Sequence, residues 1–286
     1  MNNVTITKDI LEKIKILAFD MDGTLLDENG ALSDVNRLCI MRAIQKGYHI
    51  VIATGRVYSA FPKDVLEMEG LRYVITSNGA HIIDLFTEET IYSNLLTRAA
   101  VEAALPWISD PDIMREVFFE HDVYADRYCM QDLKRFGITS KKSQKYVLET
   151  RKPVEDTLVL VREYAELLEN INLIFPDVEK RKRYWDELKV QEGLTVVSSM
   201  PFNIELGGQT TSKANALDAL AKRLGFGHEN IMSFGDSTND ATMLSAAQIG
   251  VAMGNAVQEL KEMADYITGT NAEDGVADAL IKLLNI

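Results

Sequence analysis

Residues 14–24 read Ile-Lys-Ile-Leu-Ala-Phe-Asp-Met-Asp-Gly-Thr, and this stretch decides the fold class. Its first part, up to Phe19, is a short apolar run with β-branched members, which predicts a buried parallel strand. Two carboxylates, Asp20 and Asp22, follow directly, with a glycine and a hydroxyl behind them. Open α/β sheets carry their functional groups at the carboxyl ends of strands. The stretch therefore predicts an α/β protein with a site after this strand.

The pair Asp20 and Asp22 indicates a site for a divalent cation and a phosphoryl group. Two aspartates this close cannot both be buried and charged without a cation. Hard carboxylate oxygens suit Mg²⁺, which keeps its other positions for water and substrate phosphate. A carboxylate beside that ion can attack a phosphoryl group, and a second can protonate the leaving oxygen. The alternative is a loop whose aspartates only cap the next helix.

Composition narrows the classes of function. A chain of 286 residues can hold one large domain or two modest ones. Its net charge of −13 argues against nucleic-acid and anionic-membrane partners. Cys39 and Cys129 lie far apart, which disfavours a disulfide framework and fits the reducing cytoplasm. No apolar run approaches the roughly 18 residues of a membrane span, and we do not expect the polar residues 1–15 to form a signal peptide.

Three further stretches place polar side chains at predicted strand ends or helix starts. Thr54 and Gly55 follow the apolar run 48–53, where a hydroxyl and backbone N–H groups suit an anion. Lys213 lies in the first turn of a helix capped by Ser212, where a cation is disfavoured unless an anion is near. The predicted strand 230–234 is followed by Asp236, Asn239 and Asp240.

Each of these stretches also has a simpler interpretation. Thr54 could belong to a plain β–α turn, Lys213 could be a surface lysine, and residues 236–240 could only cap a helix. Asn78, followed by Gly79 between two apolar runs, indicates a hairpin turn. The stretches occur together and in this order, which favours a functional site over these simpler interpretations.

The stretches at Asp20, Thr54, Lys213 and Asp236 resemble the four motifs of the haloacid dehalogenase (HAD) superfamily. The insertion falls between the second and third motifs, and this position is similar to that of the large α/β cap in the Cof-type subgroup. The resemblance implies a Rossmann-like parallel-sheet core with an inserted α/β cap domain, and Mg²⁺ as the cofactor. The catalytic residues that it implies are Asp20 (nucleophile), Asp22 (general acid/base), Thr54 and Lys213. The substrate-binding residues that it implies are Thr54, Gly55, Asn78, Lys213 and Asn239. The metal ligands that it implies are Asp20, Asp22 (through its backbone carbonyl), Asp236 and Asp240, and Asp240 would also orient Lys213.

The expected domains are a catalytic core formed by residues 1–86 and 201–286, and a cap formed by residues 87–200. Within the cap, the apolar run 157–161 predicts a strand and residues 163–170 predict a helix. Residues 202–206 predict a strand that returns the chain to the core. The basic runs of the cap predict solvated faces rather than substrate clamps.

These features predict an Mg²⁺-dependent phosphatase that hydrolyses small phosphorylated metabolites, such as sugar phosphates, through an aspartyl-phosphate. A phosphomutase or phosphotransferase would use the same residues and differ only in the acceptor. A receiver-type signalling module shares the aspartate, the metal, the hydroxyl and the lysine, but it lacks Asp22 and the long insertion. A sugar-phosphate binding protein without catalysis would not need the intact set. We expect a cytoplasmic protein, and the sequence leaves its oligomeric state open.

Overall fold

The computed structural model describes residues 6–286. Their contacts divide them into two compact units. We call residues 6–55, Phe61–Ser93 and Ser212–Ile286 the core unit. We call Arg56–Ala60 and Asn94–Thr211 the inserted unit.

The strands of the described residues, in chain order, are β1 (Ile16–Phe19), β2 (His49–Ala53), β3 (Tyr73–Thr76), β4 (His81–Asp84), β5 (Glu89–Ser93), β6 (Met114–Phe119), β7 (Asp122–Asp126), β8 (Arg151–Val154), β9 (Leu168–Ile174), β10 (Leu194–Val197), β11 (Asn203–Gly208), β12 (Ile231–Gly235), β13 (Ile249–Ala252) and β14 (Tyr266–Ile267).

The α-helices are α1 (Lys8–Lys13), α2 (Asp34–Gln45), α3 (Lys63–Leu66), α4 (Arg98–Ile108), α5 (Arg127–Gln131), α6 (Lys141–Thr150), α7 (Thr157–Glu163), α8 (Val178–Leu188), α9 (Lys213–Leu224), α10 (Ala241–Ala246), α11 (Gln258–Met263) and α12 (Gly275–Leu284).

The sheet of the core unit has the strand order β14-β13-β12-β1-β2-β3-β4-β5. Strands from β14 to β3 run parallel, whereas β3, β4 and β5 form an antiparallel meander. Every residue of β1 is buried, as expected for a central parallel strand. The rings of Phe19 and Phe234 stack with centroids 4.8 Å apart where β1 and β12 end. The predicted parallel-sheet core is confirmed.

This topology brings three of the predicted motifs to one edge of the sheet. β1 pairs with β12 on one side and with β2 on the other, parallel in both cases. The residues after these three strands therefore leave the sheet at its carboxyl edge. They are Asp20, Thr54 and Asp236.

The inserted unit contains a second sheet with the order β10-β11-β9-β6-β7-β8. Its strands are antiparallel except for the parallel pair β7 and β8. Alternate residues of its central strands, such as Val117, Ile171 and Ile204, join an apolar cluster with residues of α4, α7 and α8. This cluster gives the inserted unit a hydrophobic core of its own.

Two predictions for the inserted unit are wrong. Residues 157–161 lie in helix α7, because the Asp156 carboxylate accepts a hydrogen bond of 2.8 Å from the Leu158 N–H and starts a helix. Residues 163–170 do not form one helix, since the buried strand β9 begins at Leu168. A short apolar run does not distinguish a strand from a buried helical turn.

Residues 203–208 form the predicted strand, but it belongs to the second sheet. β11 pairs with β9 and β10, not with a strand of the core sheet. At the start of the long insertion, β5 pairs with β4 and extends the core sheet to Ser93. The long segment of the inserted unit therefore runs from Asn94 to Thr211, whereas we expected a cap of residues 87–200, and the short segment Arg56–Ala60 belongs to the same unit.

Among residues 6–286, none of the helices is both long and apolar enough to span a membrane.

Candidate active site

Asp20 lies at the centre of the candidate site. It follows β1, and its backbone N–H donates to the Phe234 carbonyl at 3.0 Å, which ties it to the end of β12. Only 5% of the residue is exposed. Its Oδ1 accepts a hydrogen bond of 2.5 Å from the Lys213 ammonium. A carboxylate buried this deeply is stable as an anion only with such a partner.

Lys213 bridges two carboxylates. It is the first residue of α9, whose start is capped by the Ser212 side chain accepting from the Asn215 N–H at 3.1 Å. The lysine is 1% exposed, and Nζ also donates to Asp240 Oδ1 at 2.6 Å. Burial alone lowers the pKa of Lys213, but Asp20 and Asp240 outweigh it and hold the pKa above its usual range. These two anions account for a cation at a helix start.

Asp240 fixes the loop after β12. Its Oδ2 accepts hydrogen bonds from the N–H groups of Asp236 and Ser237, both at 3.1 Å. Both oxygens of this fully buried carboxylate are therefore engaged, one by the loop backbone and one by Lys213. Gly235 permits the arrangement, because a Cβ there would lie 2.5 Å from the Asp240 Cβ. Asp240 links the lysine to the strand-end loop.

Asp236 lies beside the loop that carries Asp22. Its Oδ1 accepts a hydrogen bond of 3.3 Å from the Thr24 hydroxyl. Gly23 has φ +82°, and a Cβ there would overlap the Asp236 carboxylate, so only glycine allows this approach. Burial, followed by the charge of Asp240, raises the pKa of Asp236 to about 7, and the Asp22 carboxylate adds to this shift. Asp22 itself is exposed, so its carboxylate meets solvent.

The cluster carries more negative than positive charge. Burial, and next the charge of Asp240, raise the pKa of Asp20 well above its ordinary value despite the opposing effect of Lys213. Asp20, Asp236 and Asp240 each offer a carboxylate oxygen, and these atoms lie within 4.8 Å of one another. Three carboxylates thus face one ammonium group. A divalent cation fits this donor set, because hard oxygen ligands with excess negative charge are what such an ion requires.

The remaining predicted residues occupy neighbouring loops of the core unit. Thr54 follows β2, is buried, and donates its N–H to the Ile75 carbonyl at 2.9 Å. The Asn239 Nδ2 donates to Asn78 Oδ1 at 3.2 Å. Gly55 lies against the same amide, since a Cβ there would be 3.1 Å from Asn78 Oδ1. Thr54, Gly55, Asn78 and Asn239 therefore form one connected group.

Arg56, the residue after this group, belongs to the inserted unit. Its Nη1 donates to the Ala60 carbonyl at 2.9 Å, and its guanidinium lies 4.8 Å from the centre of the Tyr146 ring. The chain therefore passes from one compact unit to the other directly after the Thr54-Gly55 pair.

Sequence reasoning missed residues that support the Asp20–Thr24 loop. The Asn255 Nδ2 donates to the Gly23 carbonyl at 2.8 Å, and the Asn271 Nδ2 donates to the Leu26 carbonyl at 2.9 Å. Thr24, quoted in the motif but given no role, is the hydroxyl that bonds Asp236. Asn255 follows β13, so the rule that polar residues after parallel strands belong to the site could have identified it.

Comparison with known proteins identifies the family. Residues 17–280 match the model of the haloacid dehalogenase-like hydrolases. The chain is 33% identical to a Bacillus subtilis phosphatase, 5-amino-6-(5-phospho-D-ribitylamino)uracil phosphatase YcsE, over 93% of this chain and 94% of the relative. It is also 33% identical to the phosphatase YwpJ of the same organism, over 95% and 100%.

The fold agrees with these relatives. A solved haloacid dehalogenase-like hydrolase from B. subtilis superimposes with a TM-score of 0.80 at 31% identity, covering 94% of this chain and 99% of that one. The match of sequence and fold extends over both compact units. The chain therefore belongs to the haloacid dehalogenase-like hydrolases and is a phosphatase.

Proposed function

We propose that this phosphatase hydrolyses the monoesters of small phosphorylated metabolites, depends on Mg²⁺, and forms an aspartyl-phosphate on Asp20. The observation that carries the proposal is the buried Asp20–Lys213–Asp240 bridge beside Asp236, at the carboxyl edge of a parallel sheet. Such a cluster holds a charged nucleophile next to cationic groups that can neutralise an incoming phosphate.

In the first step, an Asp20 carboxylate oxygen attacks phosphorus in line with the ester bond. The new bond joins this oxygen to phosphorus, and the bond to the leaving alcohol oxygen breaks. Asp22, which is exposed, gives its proton to the leaving oxygen. The Thr54 hydroxyl, the Gly55 N–H and the Asn239 amide would donate to the phosphoryl oxygens.

In the second step, water attacks the phosphorus of the aspartyl-phosphate. Asp22, now ionised, accepts the proton of this water. The bond between phosphorus and the Asp20 oxygen breaks, which releases inorganic phosphate and restores the Asp20 carboxylate. Lys213 stays near the Asp20 carboxylate and the phosphate throughout and limits the repulsion between these two anions. That repulsion is about 4 kcal/mol for two unit charges about 4 Å apart at an effective dielectric near 20.

Asp20 and Asp236 would hold the Mg²⁺ ion together with the backbone carbonyl of Asp22. Asp240 would act on the ion indirectly, because its oxygens accept hydrogen bonds from Lys213 and from the backbone of the loop that carries Asp236. Bound Mg²⁺ supplies Lewis-acid stabilisation of the charge on the phosphoryl oxygens.

The substrate class follows from the reaction and the relatives. One relative is named for 5-amino-6-(5-phospho-D-ribitylamino)uracil, a small metabolite that carries its phosphate on a ribityl chain. This supports a small phosphorylated metabolite, such as a sugar or polyol phosphate. We propose that the inserted unit acts as the cap that selects the part of the substrate beyond the phosphate. The two free cysteines support a cytoplasmic setting.

The test is the release of phosphate from p-nitrophenyl phosphate, with Mg²⁺ and with EDTA, by the wild type and Asp20→Asn. The control is Asp34→Asn, which removes an exposed carboxylate from α2 of the same unit. We expect turnover that needs Mg²⁺, is abolished by Asp20→Asn and survives Asp34→Asn. Turnover that persists in Asp20→Asn would exclude the aspartyl-phosphate. With a sugar phosphate as substrate, phosphate that appears on a second hydroxyl of the sugar, and not free, would indicate a phosphomutase.

A further inference from the structure

The turn Ser77–Gly79 has an unusual backbone. Its three residues have φ angles of 49°, 57° and 104° in succession. The first two, Ser77 and Asn78, carry side chains in the left-handed region that favours glycine. All three are buried. Strain of this kind persists only where the surroundings fix it, and it often coincides with a functional constraint.

The turn is attached to the Thr54 loop. The Asn78 N–H donates to the Thr54 carbonyl at 3.0 Å. The Asn78 side chain lies against Gly55, where any Cβ would come within 3.1 Å of its Oδ1. The position of Asn78 therefore sets where the backbone of Thr54 and Gly55 lies.

The turn is also attached to the other two motifs. Asn78 Oδ1 accepts from the Asn239 Nδ2 at 3.2 Å, and Asn239 lies in the same 3-10 turn as Asp240. Gly79 packs on the start of α9, because a Cβ there would overlap the Ser212 carbonyl and lie 3.1 Å from the backbone nitrogen of Lys213. One strained turn therefore contacts the loops that carry Thr54, Asn239 and Lys213.

We propose that Asn78 is a positioning residue, which holds the Thr54 loop and Asn239 in register with the Lys213 helix. This inference rests on the proposed function, because it concerns the residues assigned there to phosphate. It differs from the expectation that Asn78 itself binds substrate. The Asn78 side chain acts on the phosphate through Asn239 and Gly55. The left-handed backbone of Asn78 directs its side chain toward these two residues.

The test uses Asn78→Gly, because glycine adopts φ 57° without strain and removes only the side chain. The matched control is Glu88→Gly, which relieves a left-handed residue (φ 56°) in an exposed turn of the same unit. We expect both variants to melt at or above the wild-type temperature. We expect kcat for p-nitrophenyl phosphate to fall about tenfold to a hundredfold in Asn78→Gly, with a smaller change in KM, and to stay unchanged in Glu88→Gly. An unchanged kcat in Asn78→Gly would overturn the proposal.

A double-mutant cycle separates positioning from direct contact. If Asn78 acts through Asn239, adding Asn78→Gly to Asn239→Ala should lower kcat less than about twofold further. Losses that multiply would mean that Asn78 does not act through Asn239 and would overturn its role in positioning that residue.

Hydrogen–deuterium exchange keeps this test separate from the proposed function. We expect residues 236–240 to exchange faster in Asn78→Gly, and not in Glu88→Gly, because the hydrogen bond to Asn239 is lost. A wild type that releases no phosphate would contradict the proposed function and leave this comparison intact. Equal exchange in the wild type and Asn78→Gly would contradict the positioning role whether or not the enzyme turns over.

Discussion

Buried charged groups are balanced differently in two pairs of the inserted unit and in the Asp20 cluster of the core unit. In the inserted unit, Arg151 forms a two-pronged pair with Glu116, at 2.7 and 3.0 Å, and Arg115 pairs with Asp126 at 2.9 Å. In the core unit, Lys213 alone serves Asp20 and Asp240, with Asp236 beside them. Each of these two pairs has one cation for one carboxylate. The cluster of Asp20, Asp236 and Asp240 has three carboxylates for one cation.

The balanced pairs also have the rest of their hydrogen bonds made within the protein. Glu116 accepts from the Asn172 Nδ2 at 2.9 Å, and Asp126 accepts from the Thr157 N–H at 2.6 Å. Such clusters are complete as folded, and removal of one partner would leave the other charge buried and unpaired. The cluster around Asp20 has more carboxylates than cations, and burial raises the pKa of Asp20 and of Asp236. The comparison teaches that an excess of buried carboxylates, rather than burial of charge itself, distinguishes a site from a structural pair.

The largest expected effect is that of Asp20→Asn. It removes the proposed nucleophile, so we expect phosphate release to fall by at least about a thousandfold. It also removes one of three crowded carboxylates, so the melting temperature should not fall. Steady-state kinetics and calorimetry on the same preparation measure both. A variant that is inactive because it has unfolded would weaken the contrast between the units.

The second effect concerns the balanced pair of Glu116 and Arg151. Glu116→Gln leaves Arg151, whose side chain is only 10% exposed, without its carboxylate, and we expect the free energy of unfolding to fall by about 3 kcal/mol. Trp107 and Trp185 both lie in the inserted unit, so denaturant titration followed by tryptophan fluorescence reports on it. Glu149→Gln, at an exposed pair with Lys145, serves as control and should change stability by less than about 1 kcal/mol. Equal effects of the two variants would count against a structural role for the buried pair.

The third effect is stabilisation by metal. Binding to the folded state alone should stabilise the wild type by about 2.7 kcal/mol when Mg²⁺ is at a hundred times its Kd. Asp236→Asn should lose most of the resulting rise in melting temperature, whereas Asp34→Asn should keep it. The same rise in all three proteins would mean that the carboxylate cluster is not where the ion binds.

The smallest effect is a pH dependence in the inserted unit. Burial tends to raise the pKa of Asp110, but hydrogen bonds from the Tyr184 hydroxyl (2.5 Å) and Lys180 Nζ (2.9 Å) outweigh it and hold the pKa below its ordinary value. Because the unfolded chain takes up this proton at a higher pH than the folded one, the stabilisation is complete above about pH 4 and is lost as the pH falls through the folded pKa. Denaturation at several pH values should give a flatter profile for Asp110→Asn, and an identical profile would refute this role.

The sequence predicts the core better than the inserted unit, for a physical reason. Asp20, Thr54 and Asp236 follow strands of one parallel sheet, so one rule of topology brings them together. The contact between Asn78 and Asn239 depends on a buried left-handed turn, which the residues Asn-Gly indicate only as a hairpin. In the inserted unit, residues 157–161 fit a strand by their apolar run, but the Asp156 cap makes them a helix. The assignment of β11 to the second sheet is decided by strand pairing, to which periodicity gives no guide.

The central claim is that Asp20 becomes phosphorylated, and the most direct measurement is to trap that species. The wild type is quenched in acid during turnover of p-nitrophenyl phosphate, treated with borohydride, digested and analysed by mass spectrometry. Borohydride reduces an aspartyl-phosphate to homoserine, so the account predicts homoserine at position 20 and at no other aspartate, and only when substrate and Mg²⁺ were both present. Homoserine at another aspartate, or its absence while phosphate is released in a burst, would contradict the account.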